Sequence, residues 1–453
     1  MPALPKSSAC QFIFMFLLSA SCMAQDTGKD SVPGNWSWHF QSTVIGQKHS
    51  GFRSLYRGAN SLADTVEPTA TSLSGTLFIG RKLWKGAAFY FNPEVTGGKG
   101  LSFATGVAGA LNGETYRVGN VEPQAYIARA YLEQHIPLGK SGEKEWQTDD
   151  VNQVAAYIPT HRFTIRAGRF ALSDFFDNNS YAKDPREQFF NWSLWANGAW
   201  DYPANTRGYT YGLVAEFVQP GWVLRISSVS VPRIANYKLM EYKLNKAHSE
   251  TIELERQFSI NKRPGAIRLT LSHTRSRAPS YESAIRALAA KDSFLLNVMS
   301  GDAENDRYGG RKNAILLNFG QELSNSIGVF SRIGWNDGKY ASWAFTEIDR
   351  TIHAGISIKG IPWKRPDDVV GIAGVLNGIS KLHRRFLAGG GNGFLLGDGA
   401  LNYGHEAIIE TFYNARVTSF FQLSADYQFV IHPGYNKDRG PVHVFAFRAH
   451  VHW

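Results

Sequence analysis

The last stretch of the chain, residues 420–453, alternates apolar and polar positions. Every second residue from Phe421 to Ile431 is apolar, and the residues between them are mostly polar. After a turn at 432–440 the alternation resumes, with Phe445, Phe447, Ala449, Val451 and Trp453 on one face and Arg448, His450 and His452 on the other. A period of two is typical of β-strands. One apolar face, one charged face and a terminal tryptophan indicate a transmembrane β-barrel, with a soluble β-sandwich as the alternative.

The same alternation predicts sixteen strands, and thus an all-β, transmembrane antiparallel barrel. They are expected at residues 35–46, 71–82, 86–96, 121–136, 160–170, 206–217, 221–231, 248–260, 265–275, 311–322, 326–335, 350–359, 369–376, 405–418, 420–431 and 442–453. Long extracellular loops and short periplasmic turns would join them, as in outer-membrane barrels. Residues 137–159 are the exception, because this topology puts that long, charged segment on the periplasmic side.

The first 24 residues have the features of a cleaved secretory signal peptide. Lys6 supplies a positive charge, residues 12–20 form a short apolar run, and small residues end it before Gln25. The run is too short to cross a bilayer as a helix. A lipoprotein signal lipidated at Cys22 is the alternative. The sequence therefore predicts a signal peptide at 1–24 and a single transmembrane β-barrel domain at 25–453.

Composition narrows the chemistry of the mature chain. Both cysteines, Cys10 and Cys22, lie in the signal peptide, so no disulfide, thiolate metal site or cysteine nucleophile is expected. Without Lys6 the chain carries 47 Lys and Arg against 38 Asp and Glu. These charges are scattered along the strands and not gathered in runs, so nucleic acid is not an expected partner. Because only closure satisfies every backbone group in lipid, a membrane location requires a closed barrel surrounded by outer-membrane lipid.

Charged residues occupy the strand positions opposite to the apolar ones, so they are expected to line the lumen. A charge on the lipid face would cost about 2–4 kcal/mol near the midplane. A lumen with both signs of charge offers hydrogen bonds to a neutral polyhydroxylated solute. The alternative is that each side chain braces the inner wall without contacting solute. The strand candidates are Arg129, Glu133, Arg166, Glu216 and Arg225.

Residues 171–205 carry more aromatic side chains than an exposed loop should. These rings need a place to bury, and the third outward loop of a barrel can fold into the lumen. Aromatic faces beside polar and charged groups would suit a saccharide constriction. The alternative is that the rings only pack the loop against the inner wall. The candidate residues of this loop are Asp174, Asp177, Asn178, Trp192, Trp195 and Trp200.

A second outward loop, 276–310, contains a predicted helix at 281–299. The two interpretations of this helix are that it folds into or over the mouth of the barrel, or that it is a solvated loop helix.

Five longer motifs allow a comparison with known families. They are Phe91-Asn-Pro-Glu94, Asp174-Phe-Phe-Asp-Asn-Asn179, Trp200-Asp-Tyr-Pro-Ala-Asn-Thr-Arg-Gly-Tyr-Thr-Tyr-Gly212, Gln219-Pro-Gly-Trp222 and Pro433-Gly-Tyr-Asn-Lys-Asp-Arg-Gly-Pro441. Together they resemble the carbohydrate-selective porins of bacterial outer membranes, the OprB family. The resemblance implies a sixteen-stranded barrel that passes sugars by facilitated diffusion, with an arginine-rich narrowing. Position on the strands makes Arg129, Arg166 and Arg225 candidates for that narrowing.

The chain is therefore expected to be an outer-membrane porin for carbohydrates, with a charged, aromatic-flanked constriction. A general or anion-preferring porin without a saccharide site is the alternative, motivated by the basic balance of the chain. A barrel enzyme or adhesin is a further alternative. No G-x-S-x-G motif is present, and no metal-ligand spacing surrounds the histidines considered, His161, His353, His383 and His443. No enzymatic activity, cofactor or metal is predicted.

The expected partners are sugars or other small polar solutes, and the lipid of the outer membrane. Trp453 is expected to be recognised by the barrel assembly machinery. A homo-oligomer is left open by the sequence, as are the identity of the sugar and the gating of the channel.

Overall fold

The computed structural model describes residues 34–116, 121–139 and 142–453. The predicted signal peptide, 1–24, lies outside the described residues. In chain order the strands are β1 (Trp36–His49), β2 (Ala70–Lys82), β3 (Ala87–Gly98), β4 (Gln124–Pro137), β5 (Lys144–Gln147), β6 (Ala156–Pro159), β7 (Arg162–Phe170), β8 (Thr210–Gln219), β9 (Trp222–Val229), β10 (His248–Ile260), β11 (Arg263–Ser276), β12 (Gly310–Glu322), β13 (Ile327–Asn336), β14 (Arg350–Gly360), β15 (Arg365–Gly378), β16 (Glu406–Arg416), β17 (Phe421–Ile431) and β18 (Val442–His452).

The helices of the described chain are short and lie in the connections. They are α1 (Trp192–Trp195), α2 (Tyr281–Ala290), α3 (Ser293–Ser300) and α4 (Lys381–Ala388). Single 3-10 turns occur at Leu101–Ala104, Leu172–Asp174, Ile361–Trp363 and Pro433–Tyr435. None of the helices in the described residues has the length and apolarity that crossing a bilayer requires.

Sixteen of the strands form one closed antiparallel barrel, which confirms the predicted fold class. The barrel closes where β1 pairs with β18, with Gln41 opposite His452. The nitrogen of Trp453 donates to the carbonyl oxygen of Phe40 (2.8 Å), and the nitrogen of Phe40 donates back to Trp453 (2.9 Å). Closure leaves no unpaired strand edge, as lipid requires. The predicted strands match these sixteen, and their ends shift by a few residues.

The two faces of the wall follow the predicted alternation. On β17 the side chains of Gln422, Ser424 and Asp426 are buried inside the barrel, whereas Phe421 and Leu423 point outward and are partly exposed. The outward face of the barrel presents an apolar band to lipid, and aromatic residues lie near its periplasmic end. The exposed aromatic residues at that end include Trp36, Trp38, Trp84 and Trp453.

The connections on the extracellular side are long, and two of them fold into the lumen. We name them loop L2 (described residues 99–116 and 121–123, between β3 and β4) and loop L3 (residues 171–209, between β7 and β8). On the periplasmic side most connections are tight turns, such as 220–221 and 261–262. The inward fold of loop L3 agrees with the sequence prediction, whereas the inward fold of loop L2 was not expected from the sequence.

The long segment 137–159, which the predicted topology placed on the periplasmic side as an exception to its short turns, contains a small hairpin, β5 paired with β6. Its tip folds back under the barrel, where the nitrogen of Val154 donates to the hydroxyl of Tyr90 (3.4 Å). Val154 is 2% exposed and belongs to the same apolar cluster as Tyr90. Asp149 contributes an ion pair with His39 of β1 (3.4 Å). The segment therefore covers part of the periplasmic mouth.

The predicted helix at 281–299 is found as two helices, α2 and α3. Ser280 caps the first by accepting a hydrogen bond from the nitrogen of Ser283, and Asp292 caps the second. Tyr281 is fully buried and stacks on His383 of α4, with ring centroids 4.4 Å apart. The helices therefore pack over the extracellular mouth and against its other loops, which decides between the two interpretations of this segment.

Candidate functional site

Loop L3 leaves the wall after β7 and crosses the lumen to the opposite side. The nitrogen of Phe190 donates to Glu410 Oε1 on β16 (2.5 Å). Arg448 Nη1 on β18 donates to the carbonyl oxygens of Pro185 (2.7 Å) and Gln188 (2.8 Å). These strands lie far around the barrel from β7. Loop L3 therefore separates an extracellular part of the lumen from a periplasmic part.

Arg332 on β13 holds the first half of loop L3. Its buried guanidinium donates from Nε to Asp177 Oδ1 (2.9 Å), from Nη2 to the carbonyl oxygens of Asp177 and Ala182 (both 2.9 Å), and from Nη1 to the carbonyl of Leu194 (3.1 Å). Asn318 Nδ2 donates to the same Asp177 oxygen (2.6 Å). The five donors of a guanidinium suit several acceptors at once. Asp177 and Arg332 therefore anchor the loop to the wall.

Loop L2 is tethered by a carboxylate in a similar way. Glu406 at the start of β16 accepts hydrogen bonds from the nitrogens of Ala108 (3.0 Å) and Gly109 (3.3 Å). Gln47 Nε2 on β1 donates to the carbonyl oxygen of Leu111 (2.7 Å). Because buried polar groups are costly without partners, these contacts keep the loop inside the barrel. Loop L2 therefore contributes to the wall of the narrowed lumen.

Charges of alternating sign run across the inner wall from β4 to β11, and we call them the charge ladder. Arg166 joins Glu133 (2.7 Å) to Glu216 (2.8 Å), and Arg225 joins Glu216 (2.9 Å) to Glu255 (2.8 Å). The alternating charges arise because residues of opposite charge lie directly opposite each other on neighbouring strands, Glu133 opposite Arg166 and Glu216 opposite Arg225. In strand order the ladder contains Glu133, Arg166, Glu216, Arg225, Glu253, Glu255 and Arg268.

A cavity of about 180 Å³ lies on the extracellular side of loop L3, and we call it the outer chamber. Loops L2 and L3 and the inner faces of β3 and β4 form its walls. At roughly 30 Å³ for each water molecule of the liquid, this volume corresponds to about six waters. Its lining includes Glu94, Arg129, Asp174, Arg186, Trp195 and Arg207.

Arg186 of loop L3 faces two carboxylates across the outer chamber. Its Nε lies 3.0 Å from Glu114 Oε1 of loop L2, and its Nη2 lies 3.6 Å from Glu94 Oε2 of β3. Burial lowers the pKa of Arg186, but Glu114, Asp184 and Glu94 raise that pKa by more, so the side chain stays charged. Burial also raises the pKa of Glu114 above its ordinary value. The chamber therefore holds a fixed cation beside carboxylates on the opposite wall.

Several N–H donors of the chamber lining have no hydrogen-bond partner in the described part of the chain. They are Arg129 Nη1, Trp195 Nε1, Trp200 Nε1 and Arg207 Nε. Arg129 uses its other nitrogens on Asp174, at 2.7 and 2.6 Å. The guanidinium of Arg207 lies 3.8 Å from the ring centroid of Tyr126. These donor atoms are themselves buried, so a solute hydroxyl group would reach one of them only after a side-chain rotation exposes it.

The aromatic residues of loop L3 pack mainly against other rings. Trp192 stacks on Phe345, with centroids 4.9 Å apart and an interplanar angle of 7°, and its Nε1 donates to the carbonyl of Asn112 (2.9 Å). Trp200 is 1% exposed and packs against Phe176 and Tyr202. Trp195 is less buried and also borders the outer chamber. The same cluster of aromatic rings therefore packs loop L3 and lines part of the outer chamber.

The eleven residues predicted from sequence fall into three places. Arg129, Asp174, Asp177, Trp192, Trp195 and Trp200 line the outer chamber. Glu133, Arg166, Glu216 and Arg225 belong to the charge ladder. The carbonyl oxygen of Asn178 accepts a hydrogen bond from Asn318 Nδ2 (3.3 Å), at the anchor of loop L3. Their roles in solute binding remain predictions.

Other residues of the chamber were absent from the sequence prediction. Arg186 and Arg207 belong to loop L3, and Glu114 belongs to loop L2. Glu94 occupies one of the inward-facing positions of β3, and the alternation of that strand could have identified it. The loop residues have no periodicity, so no comparable sequence signal marks them.

A second cavity, of about 460 Å³, lies on the periplasmic side of loop L3, and we call it the periplasmic chamber. Loop L3 contributes Ser180, Tyr181, Glu187 and Gln188, and periplasmic turns contribute residues such as Asn325. The segment 180–188 therefore has one chamber on each side of it, since residues 183–186 line the outer chamber.

This architecture defines an outer-membrane porin: a closed sixteen-stranded barrel, an apolar outer face, and a lumen narrowed by inward loops. The high-pH structure of Pseudomonas putida OprB is similar, with a TM-score of 0.66 and 15% identity over 92% of this chain and 94% of that chain. The structure of Pseudomonas aeruginosa OccK2 (OpdF) has a TM-score of 0.45 and 7% identity over 92% of this chain and 97% of that chain. Both comparisons concern the fold.

Residues 69–453 match the family model of the carbohydrate-selective porin, OprB family. No curated protein matches the chain. The chain therefore belongs to the OprB family of carbohydrate-selective porins, and its place is the bacterial outer membrane. The resemblance drawn from the sequence motifs is confirmed.

Proposed function

We propose that this porin selects its carbohydrate in the outer chamber, where loop L3 narrows the lumen. The observation that carries the proposal is that aromatic rings and charged side chains of both signs line the same small cavity. Aromatic faces bind the apolar faces of sugar rings, and fixed donors and acceptors bind their hydroxyl groups.

In a passive channel, the residues of the outer chamber would serve as hydrogen-bond donors on one wall and acceptors on the other. Arg186 and Arg129 present guanidinium donors, and Glu94 and Glu114 present acceptors from the facing walls. A sugar that exchanges part of its hydration for these groups enters readily. It also leaves, because each group keeps a protein partner to which it returns. The charge ladder supports the wall beneath the start of loop L3, where Arg166 lies 4.5 Å from the ring centroid of Phe175.

Single-channel conductance in planar bilayers tests this proposal. The purified barrel is titrated with glucose, maltose and longer maltooligosaccharides, and the block of ion current is measured. Trp195→Ala removes an aromatic face that borders the chamber, so we expect block to weaken by about threefold to tenfold. Arg186→Gln removes a charged donor and is expected to weaken block by about tenfold or more. Arg311→Gln, at an exposed position of β12, is the matched control.

Each outcome of the titration has a meaning. Block by one class of sugar that the Arg186 and Trp195 substitutions weaken supports the proposal. Conductance without block leaves a general porin, and the reversal potential then reports whether the basic lining prefers anions. Absence of conductance would contradict the proposed channel function and favour the alternative of a barrel enzyme or adhesin.

We also propose that residues 1–24 are removed and that residues 25–453 form one transmembrane domain without enzymatic activity. The exposed, terminal Trp453 is proposed as the signal read by the barrel assembly machinery, since its backbone completes the closing pair with Phe40. Outer-membrane lipid would surround the apolar band. Cross-linking in native membranes tests for a homo-oligomer, and N-terminal sequencing of the mature protein tests the cleavage site.

A further inference from the structure

Two histidines of the last strand meet a glutamate of loop L3 on the periplasmic side of the constriction. His450 and His452 alternate on the inner face of β18, and Glu187 belongs to loop L3. His450 Nε2 lies 3.7 Å from Glu187 Oε1, and His452 Nδ1 lies 3.9 Å from the same oxygen. One candidate ligand atom from each side chain lies within 4.8 Å of the other two.

This spacing suits a metal ion bound between the three side chains. In a tetrahedral site with metal–ligand distances near 2.0–2.2 Å, the ligand atoms are about 3.4 Å apart. From separations of 3.7 Å, 3.9 Å and at most 4.8 Å, the three atoms would have to approach one another by a few tenths of an ångström to at most about 1.4 Å. The Glu187 side chain is exposed and that of His452 is only partly buried, so side-chain rotations can supply that movement.

The cluster has the supporting contacts of a built site. Thr43 Oγ1 lies 2.8 Å from His450 Nδ1, and both side chains are buried. With Nδ1 donating to this hydroxyl, Nε2 directs its lone pair toward Glu187; such contacts orient metal-binding histidines. Gln422 Nε2 donates to Glu187 Oε1 (3.0 Å). His452 Nδ1 is buried and makes no hydrogen bond within the described part of the chain.

We propose that Glu187, His450 and His452 bind a divalent transition-metal ion of the zinc class. Two imidazoles and one carboxylate favour Zn²⁺, Ni²⁺, Cu²⁺ or Co²⁺ over Mg²⁺ and Ca²⁺, which prefer oxygen ligands. Three protein ligands leave a fourth position for water. That position faces the periplasmic chamber, whose lining includes Glu187 and His452.

The neighbouring arginines use backbone oxygens as hydrogen-bond acceptors and leave the Glu187 carboxylate to other partners. Arg448 donates to the carbonyl oxygens of Pro185 and Gln188. Arg416 donates to the carbonyl of Ser419 (2.9 Å). The nearby arginines therefore do not compete for the Glu187 carboxylate by hydrogen bonding.

The position of the site gives metal binding a consequence for transport. Glu187 directly follows Arg186, which lies in the outer chamber. An ion at Glu187 would join loop L3 to β18 and fix the segment that separates the two chambers. We therefore expect metal binding to lower the fluctuation of the single-channel current and to reduce conductance reversibly.

Binding is tested on untagged, chelator-treated protein in detergent by calorimetric titration with Zn²⁺. We expect one ion per barrel. His452→Ala and Glu187→Gln should each weaken binding by about tenfold or more, since each removes one of three ligands. His443→Ala, an exposed position on the same strand, is the matched control and should leave affinity unchanged. Heat-modified migration on gels confirms that each variant is a folded barrel.

Two further measurements separate the site from adventitious binding. Co²⁺ bound by nitrogen and oxygen in tetrahedral geometry gives visible absorption bands, which Glu187→Gln should alter or abolish. The current change caused by Zn²⁺ should reverse with a chelator and be absent in His452→Ala. Absence of stoichiometric binding by the parent protein, or affinity unchanged in both ligand variants, would overturn the proposal whatever sugars the channel passes.

Discussion

The two halves of the inner wall use charged residues for different purposes. From β4 to β11, arginines and glutamates mainly pair with each other across neighbouring strands, as Arg166 and Arg225 do with Glu216. Glu253 of the ladder also accepts a hydrogen bond from the backbone of loop L3, at Asp177 (2.8 Å). From β12 to β18, single charged residues bind the backbone of an inward loop, as Arg332 and Glu410 do. The first arrangement braces the wall, and the second positions the constriction. An inward-facing charge on a strand therefore does not reveal its purpose until its partner is known.

The largest effect is expected from removing the anchor of loop L3. Arg332→Ala leaves the Asp177 carboxylate and three carbonyl groups without the guanidinium that binds them. Breaking such a buried contact costs about 3–5 kcal/mol. Urea unfolding in detergent should show that loss, and single-channel conductance should rise because the loop no longer holds its position. Arg311→Ala, exposed on the neighbouring strand, should change neither; equal loss in both variants would contradict the anchoring role.

A smaller effect on stability, and a clear effect on selectivity, is expected from the charge ladder. Arg225→Gln removes the cation shared by Glu216, Glu253 and Glu255. Its charged hydrogen bonds are worth about 1.5–3 kcal/mol each at most, and Arg225 is partly exposed, so we expect a modest loss of stability. The uncompensated carboxylates should shift the reversal potential toward cation selectivity.

A second substitution sharpens the test of the ladder. The double variant Arg225→Gln/Glu255→Gln removes one carboxylate together with the arginine. Its reversal potential should therefore lie closer to that of the parent protein than the reversal potential of Arg225→Gln does. If the double variant has the same selectivity as Arg225→Gln alone, the two side chains do not act as a pair, and the ladder interpretation is wrong at that step.

The smallest effect concerns pH at the extracellular rim, where Glu241 bridges two loops. Burial acts to raise the pKa of Glu241, but hydrogen bonds from the Lys243 nitrogen, Arg277 and Tyr308 outweigh burial and lower the pKa from 4.5 to about 2. A depressed folded-state pKa contributes stability that is present above the unfolded value and lost as pH falls. The contact should therefore weaken between about pH 4.5 and about pH 2.

Hydrogen exchange of residues 301–309, corrected for the intrinsic effect of pH, measures this loss. Protection should fall across that window in the parent protein. In Glu241→Gln it should be low at neutral pH already, with little further change on acidification. Glu250→Gln, at an exposed position, should behave as the parent does. Protection that stays constant down to pH 2 would show that the carboxylate contact does not hold these loops.

The sequence by itself determined that the chain forms a β-barrel, and which face of each strand is apolar and which is polar. Alternation from Phe421 to Ile431, repeated in the other strands, sufficed because a lipid-exposed wall forces apolar side chains outward and charged ones inward. The motifs at 174–179 and 200–212 were sufficient to identify the family. The strand candidates Arg129, Arg166 and Arg225 were identified by position alone, and all three do face the interior.

Tertiary structure alone decided which residues meet inside the lumen. Loop L3 has no periodicity, so Arg186 and Glu187 have no sequence signal that places one in the outer chamber and the other beside His450. The inward fold of loop L2 depends on Glu406, about 300 residues away along the chain. Contacts so distant in sequence arise only after barrel closure brings the strands around a common interior, because local alternation specifies a face and not a partner.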